Sequence, residues 1–267
     1  MPPAPGEPGD PPAPPNDELS RLVRVAMARR PAPIVAETYL QRVESSSTHP
    51  ALFDCLDGHA YYVKSRHYAA DIVSETVVGA LATAIGAPVP PTRVVTLAPR
   101  LLERVAGLEH MRAGTAHGSR EIRAVVGNFK EPMYTTETVN RSRYALLAAL
   151  FGWVRSGDPQ YLYDEDPPFR VYSVDHGRCL VSRGGRIWQG DNPQADAVRG
   201  NVDLRLSMEC RFTAEEIAAA RQRVAAVRAE RVADAVAAPP DDWGIDFAER
   251  VALARWLIRC QAEVVEP

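Results

Sequence analysis

Lysine is nearly absent from this chain of 267 residues. Of its 31 basic residues only two are lysine, Lys64 and Lys130. The simplest reading is an arginine-favouring, GC-rich coding sequence, and it leaves open why a lysine stands at position 64, in the middle of a strand. Cysteine is also scarce. The four cysteines, Cys55, Cys179, Cys210 and Cys260, form no CxxC pair and no Cys/His spacing. That excludes a zinc ribbon or finger and points to buried thiols in a reducing compartment rather than a disulfide framework. Charge of one sign is lacking too. The net charge is -3 and the arginines are dispersed, so nothing global points to nucleic acid or an anionic membrane. The longest uninterrupted apolar run, Tyr144 to Val154, is too short to cross a bilayer. No basic segment followed by an apolar run opens the chain, so neither a signal peptide nor a membrane partner is expected, and the expected location is the cytoplasm.

What is present is an ordinary globular composition, 46% hydrophobic and 24% charged, in a chain long enough for one large domain or two lobes. Residues 1–16 are half proline and read as a disordered tail. Asn16 or Asp17 then caps a helix over Glu18–Arg30, which Pro31 stops. Three strands follow: Ile34–Glu44, Ala51–Leu56 and Ala60–Arg66, the last two joined by an Asp57-Gly58 turn. Apolar positions at helical spacing predict a helix over Ala69–Ile85, ended by Gly86, and Thr92–Leu97 reads as a fourth strand.

The second half changes character. A helix over Ser142–Trp153 is apolar nearly all round and so reads as central. Phe169–Val181 reads as two short strands meeting near Asp175-His176-Gly177, and Ala214–Ala237 and Phe247–Glu263 as helices. The fold class is therefore α+β: a small β-rich lobe over residues 17–101 with one inward-facing helix, then a larger, mainly helical lobe over residues 102–267.

Chemistry enters at Lys64, in the middle of the third strand. Glu75 follows eleven residues later among the apolar positions of the next helix, so it points towards the sheet. An inward glutamate facing an inward lysine positions the ammonium for phosphate binding. Taken alone, the pair is equally compatible with a surface lysine and a solvated glutamate. Asp175 ends a strand in Ser173-Val174-Asp175-His176-Gly177, a place for a metal-holding carboxylate or for a plain turn. Asp158 follows the apolar helix and precedes Asp175 by 17 residues. That suits a catalytic-loop carboxylate, with Gln160 offering a second hard-oxygen metal ligand, or an ordinary polar loop, since loops often hold Asp, Pro and Gly. Each signal is weak alone. Together Lys64, Glu75, Asp158 and Asp175 occur in the order that a bilobal phosphotransferase requires. The lone histidines read as structural, with His176 bracing the Asp175 loop. The four tryptophans read as core, and Gly118-Ser119-Arg120 as a turn with a surface arginine.

At these residues the chain resembles the HipA-like kinases, of the short bacterial type. "YYVKS" is similar to the family's lysine strand, "SETVVGALATAIGAPVPP" to its glutamate helix and exit turn, "GTAHGSREI" to a G-x-x-F-G-S-R segment, "VDHG" to its metal-binding segment and "VAAPPDDW" to a late Val-x-x-x-Pro-x-x-Trp segment. "SSSTHPALF" resembles the loop before the second strand. The resemblance implies a bilobal protein-kinase-like fold and an ATP- and Mg2+-dependent kinase acting on Ser or Thr of a protein. It implies that Lys64 binds phosphates, Glu75 anchors Lys64, Asp158 is the base, and Asp175 with Gln160 holds the metal. Ser45, Ser46, Ser47 and Thr48 would cover the phosphates. An antitoxin-like or regulatory partner fits the same reading, and direct nucleic-acid binding does not.

The chain departs from the pattern at the catalytic loop, where Asn-x-Asp-Arg is replaced by Ser156-Gly157-Asp158-Pro159. The phosphate loop has serines and no glycine. Those departures favour an alternative, a pseudokinase-like module that binds nucleotide or a partner without turnover. A third reading is a kinase acting on a small molecule or lipid headgroup.

Overall fold

A computed structural model describes residues 17–43, 48–182, 185–189 and 200–266. The proline-rich tail lies outside the described residues. The chain enters through helix α1 (Glu18–Ala28), whose N-terminus is capped as expected: Asp17 Oδ1 accepts the Ser20 N–H at 2.8 Å. Strands β1 (Ile34–Arg42), β2 (Ala51–Cys55) and β3 (Ala60–Ser65) form an antiparallel meander. Helix α2 (Ala69–Ile85) follows after a 3-10 turn, and Gly86 ends it in the left-handed region at φ +72°. Strand β4 (Thr92–Leu97), the short helix α3 (Pro99–Glu103) and strand β5 (Gly114–Arg120) complete a closed barrel in the order β1-β2-β3-β5-β4.

The barrel corrects the boundary read near Leu101. Gly114–Arg120 pairs with both β3 and β4 and so belongs to the β-rich lobe, 13 residues beyond that point. Its glycines and polar residues hide the alternation that identifies a strand, and Gly118-Ser119-Arg120 is strand rather than turn. Helix α1 departs from the expected lobe in the other direction, packing against the helices near the C-terminus.

Strand β6 (Val125–Phe129) leads to α4 (Thr138–Val154) and then to β7 (Gln160–Asp164) and β8 (Val171–Val174). These strands form a second sheet in the order β6-β7-β8. The expected central helix is confirmed: Tyr144, Leu147, Leu150, Phe151, Trp153 and Val154 of α4 are all buried. The expected strand after Asp175 shrinks to Val181–Ser182, because a 3-10 turn occupies His176–Arg178.

Helices α5 (Leu204–Cys210), α6 (Ala214–Ala225), α7 (Ala229–Ala237) and α8 (Phe247–Val265) close the larger lobe. The single helix expected over Ala214–Ala237 is thus two, and Arg228, in extended backbone, is the residue that starts the second. One core cluster runs through α2, α4 and the C-terminal helices, and a smaller one fills the barrel. All four tryptophans are buried in that larger cluster, as expected. By length and composition the helical stretch Arg66–Ile85 is apolar enough to cross a membrane, and it is mostly buried inside the protein.

Candidate active site

The period of two along β3 turns Tyr62 and Lys64 to the same side, into a cavity of about 320 Å³ between the barrel and the second sheet. Val43 and Pro50 line its roof, Val125, Gly127 and Leu162 its floor, and Lys64, Glu75, Gln160 and Asp175 one end. Lys64 is the meeting point. Its Nζ donates to Glu75 Oε1 at 2.6 Å and to Asp175 Oδ1 at 2.8 Å. The side chains of Lys64 and Glu75 are only 9% and 5% exposed. Burial alone would pull the lysine down, but the two carboxylates outweigh it and hold the ammonium above its ordinary range. Burial alone would push Glu75 up. Lys64, then His117, holds its carboxyl well below the usual carboxylate range.

Glu75 is held on a second side. His117 of β5 places Nε2 3.3 Å from Glu75 Oε2, while its Nδ1 lies 2.8 Å from Thr76 Oγ1. Asp175 occupies left-handed backbone at φ 60°, uncommon for a residue with a Cβ. Its Oδ2 accepts from Gln160 Nε2 at 3.1 Å. His176 braces this turn as expected, with Nε2 3.0 Å from Ser173 Oγ. Gly177 lies so close to α2 that an added Cβ would stand 3.0 Å from Asp71 Cβ and 3.3 Å from Glu75 Oε1. Arg186 then straps the turn to the helix. It reaches Asp71 through Nη2, and through Nη1 it donates to Ser74 Oγ at 2.9 Å and to the Gly177 carbonyl at 2.6 Å.

The structure therefore brings Lys64, Glu75, Asp175 and Gln160 together. Asp158 lies just before Gln160, in the loop from α4 to β7, and meets Lys130 rather than the Lys64 cluster: Lys130 Nζ to Asp158 Oδ1 is 3.0 Å. Arg155 does not serve Asp158; it donates to the Val181 carbonyl at 3.0 Å. Ser45, Ser46 and Ser47 lie outside the described residues. Thr48 is half-buried in a turn between the cavity-lining Val43 and Pro50. His117, read from the sequence as structural, braces Glu75 and Thr76. Sequence reasoning missed Thr76, Arg186 and Lys130 as members of this region, and Lys130 carried one signal, its rarity as a residue type.

The donor set fits a hard divalent ion held jointly with phosphates. Asp175 offers carboxylate oxygens, and Gln160 an amide that now turns its nitrogen towards Asp175. Among the described residues no group of three or more His, Cys, Asp or Glu forms a cage. Mg2+ is commonly bound by one or two carboxylates, phosphates and water.

Comparison with known families then decides the resemblance. Residues 36–161 match the model of the HipA-like kinase family. This is the HipA-like kinase resemblance expected from the lysine strand and the glutamate helix. The match spans just under half of the chain, from β1 to the start of β7, and includes Lys64, Glu75, Asp158 and Gln160.

Among solved structures, the Helicobacter pylori proinflammatory kinase CtkA aligns with a TM-score of 0.53 at 10% identity, over 87% of this chain and 96% of that one. The Golgi casein kinase with Mn/ADP bound aligns with a TM-score of 0.50 at 12% identity, over 93% of this chain and 75% of that one. At such identities the likeness shows the fold, which is protein-kinase-like. No curated protein matches the chain. The partial match to the HipA-like kinase model and the protein-kinase-like fold together support a kinase.

Proposed function

We propose that this chain transfers the γ-phosphoryl group of ATP to a Ser or Thr hydroxyl of a protein, with Mg2+ as the metal. One observation carries the reading: a buried lysine pinned by Glu75 and Asp175 at the end of a cavity between two sheets. An ammonium so held is preorganised for the charge of a polyphosphate, and phosphoryl transfer is catalysed chiefly by positioning and electrostatics. The manganese and ADP of the Golgi casein kinase structure support nucleotide and a divalent ion at the same kind of site.

Lys64 holds the α- and β-phosphates and Glu75 fixes the lysine. Asp175 and Gln160 would hold the metal, which supplies positive charge against the β- and γ-phosphates. The apolar walls, Val43, Val125 and Leu162, take the base. Asp158 orients the acceptor hydroxyl and receives its proton as oxygen attacks phosphorus.

A second reading, nucleotide binding without turnover, is favoured by the missing Asn and Arg of the loop. Transfer from γ-labelled ATP, by the purified chain alone and with a cell lysate, separates the two. Label that disappears in Asp158→Asn and Lys64→Ala supports the kinase. ATP binding that needs Lys64, with no transfer under any condition, supports the second reading.

A further inference from the structure

We propose that Lys130 is the cation of the transfer step: its ammonium covers Asp158 before nucleotide binds and moves to the γ-phosphoryl oxygens when ATP is present. The proposal rests on the kinase reading above. Strand register puts Lys130 there. Phe129, the last residue of β6, pairs with Tyr161 of β7, so the next residue comes alongside the loop that carries Asp158. The contact is 3.0 Å and uses one carboxylate oxygen.

The residue type matters as much as the place. The chain has two lysines among 31 basic residues, and the two meet the candidate metal-holding carboxylate and the candidate base. An arginine fork would grip Asp158 with both oxygens and hold it. A lysine makes a point contact on a flexible stem, which leaves the other oxygen to receive a proton and lets the ammonium swing away. Lys130 is 68% exposed and Asp158 39%. An ion pair so exposed contributes little to stability, so exchanging the carboxylate for a phosphoryl group costs little. Arg155, the cation adjoining the loop in sequence, donates through Nε to the Val181 carbonyl.

The step balances without any further reactant. The acceptor oxygen forms its bond to the γ-phosphorus while the bond from phosphorus to the β,γ-bridging oxygen breaks. That electron pair leaves with ADP, and the hydroxyl proton passes to Asp158. Lys130 keeps its protons throughout and meets the negative charge on the transferring oxygens.

The test uses the full chain, Lys130→Met and Lys130→Arg. ATP and ADP affinities are measured by calorimetry with Mg2+, alongside kcat and KM from labelled transfer. In Lys130→Met we expect ADP affinity unchanged, the preference for ATP over ADP reduced about 10-fold and kcat reduced about 100-fold. Lys130→Arg restores part of kcat. A preference and a kcat both within about twofold of wild type would make Lys130 a surface ion pair and overturn the proposal, as would a rise in kcat. If the wild type binds nucleotide but transfers to nothing, the binding ratio decides alone. Loss of ATP preference in Lys130→Met then supports the phosphate contact while the kinase reading falls. A wild type that binds no nucleotide overturns both.

Discussion

His117 of β5 bridges two neighbouring residues of α2, with Nδ1 2.8 Å from Thr76 Oγ1 and Nε2 3.3 Å from Glu75 Oε2. The barrel thereby holds the glutamate that holds the lysine. His117→Ala strips one oxygen of a buried carboxylate of its partner, and an unsatisfied buried group costs about 1–3 kcal/mol. We expect the denaturation midpoint to fall accordingly and ATP affinity to fall with it. Thr76→Val should cost less, because the imidazole keeps its contact with Glu75. An ATP affinity unchanged in His117→Ala would show that Lys64 alone orients Glu75.

Removing Lys64 leaves Glu75 buried with its main counter-charge gone. Lys64→Met should destabilise the chain by about 3 kcal/mol or more in urea unfolding. The double variant Lys64→Met/Glu75→Gln should cost less than the sum of the two single changes, because the second removes the stranded charge. Additive costs would mean that the pair is not coupled in the folded protein. Glu75 also sets an acid limit. Its carboxyl is held down in the fold, so its contribution to stability is present above the ordinary carboxylate range and declines as pH falls below it.

His176 predicts a second and milder pH dependence. Burial pulls its imidazole down to about 4, against the opposing pull of Glu75 and then Asp175. Between about pH 4 and pH 6.5 the unfolded chain therefore takes up a proton that the folded chain does not. Stability should fall on acidification through this window. Thermal unfolding of wild type and His176→Gln at several pH values checks it: the variant should lose this part of the slope. Identical slopes would place the titration elsewhere.

Arg186 ties α2 to the turn after Asp175 through Asp71, Ser74 and the Gly177 carbonyl. Arg186→Met should lower stability by about 1–3 kcal/mol and speed amide exchange in the first turns of α2. Arg186→Lys should not rescue it, since one ammonium cannot span three acceptors on two elements. Unchanged exchange in α2 would show that helix packing alone sets its position.

Local pattern determined a good part of this molecule. Alternation marked the strand that carries Lys64, apolar spacing on α2 put Glu75 on its inward face, and the apolar run of α4 marked the central helix. Asp175 was readable because a carboxylate closing a strand before His-Gly is a local arrangement. These features depend on neighbours a few residues away, and burial of one face enforces them.

The barrel's closing strand was not readable. Gly114–Arg120 is short and rich in glycine and polar residues, and it becomes a strand because β3 and β4 supply hydrogen-bonding edges on both sides. The same holds for the contacts between side chains. His117 lies 41 residues from Thr76, Arg186 lies 115 from Asp71, and Lys130 lies 28 from Asp158. The order Lys64, Glu75, Asp158 and Asp175, and with it the kinase-like architecture, was in the sequence by itself. That His117 meets Glu75, Arg186 meets Asp71 and Lys130 meets Asp158 was decided only by the tertiary structure, because strand register and helix docking set those distances and no local period encodes them.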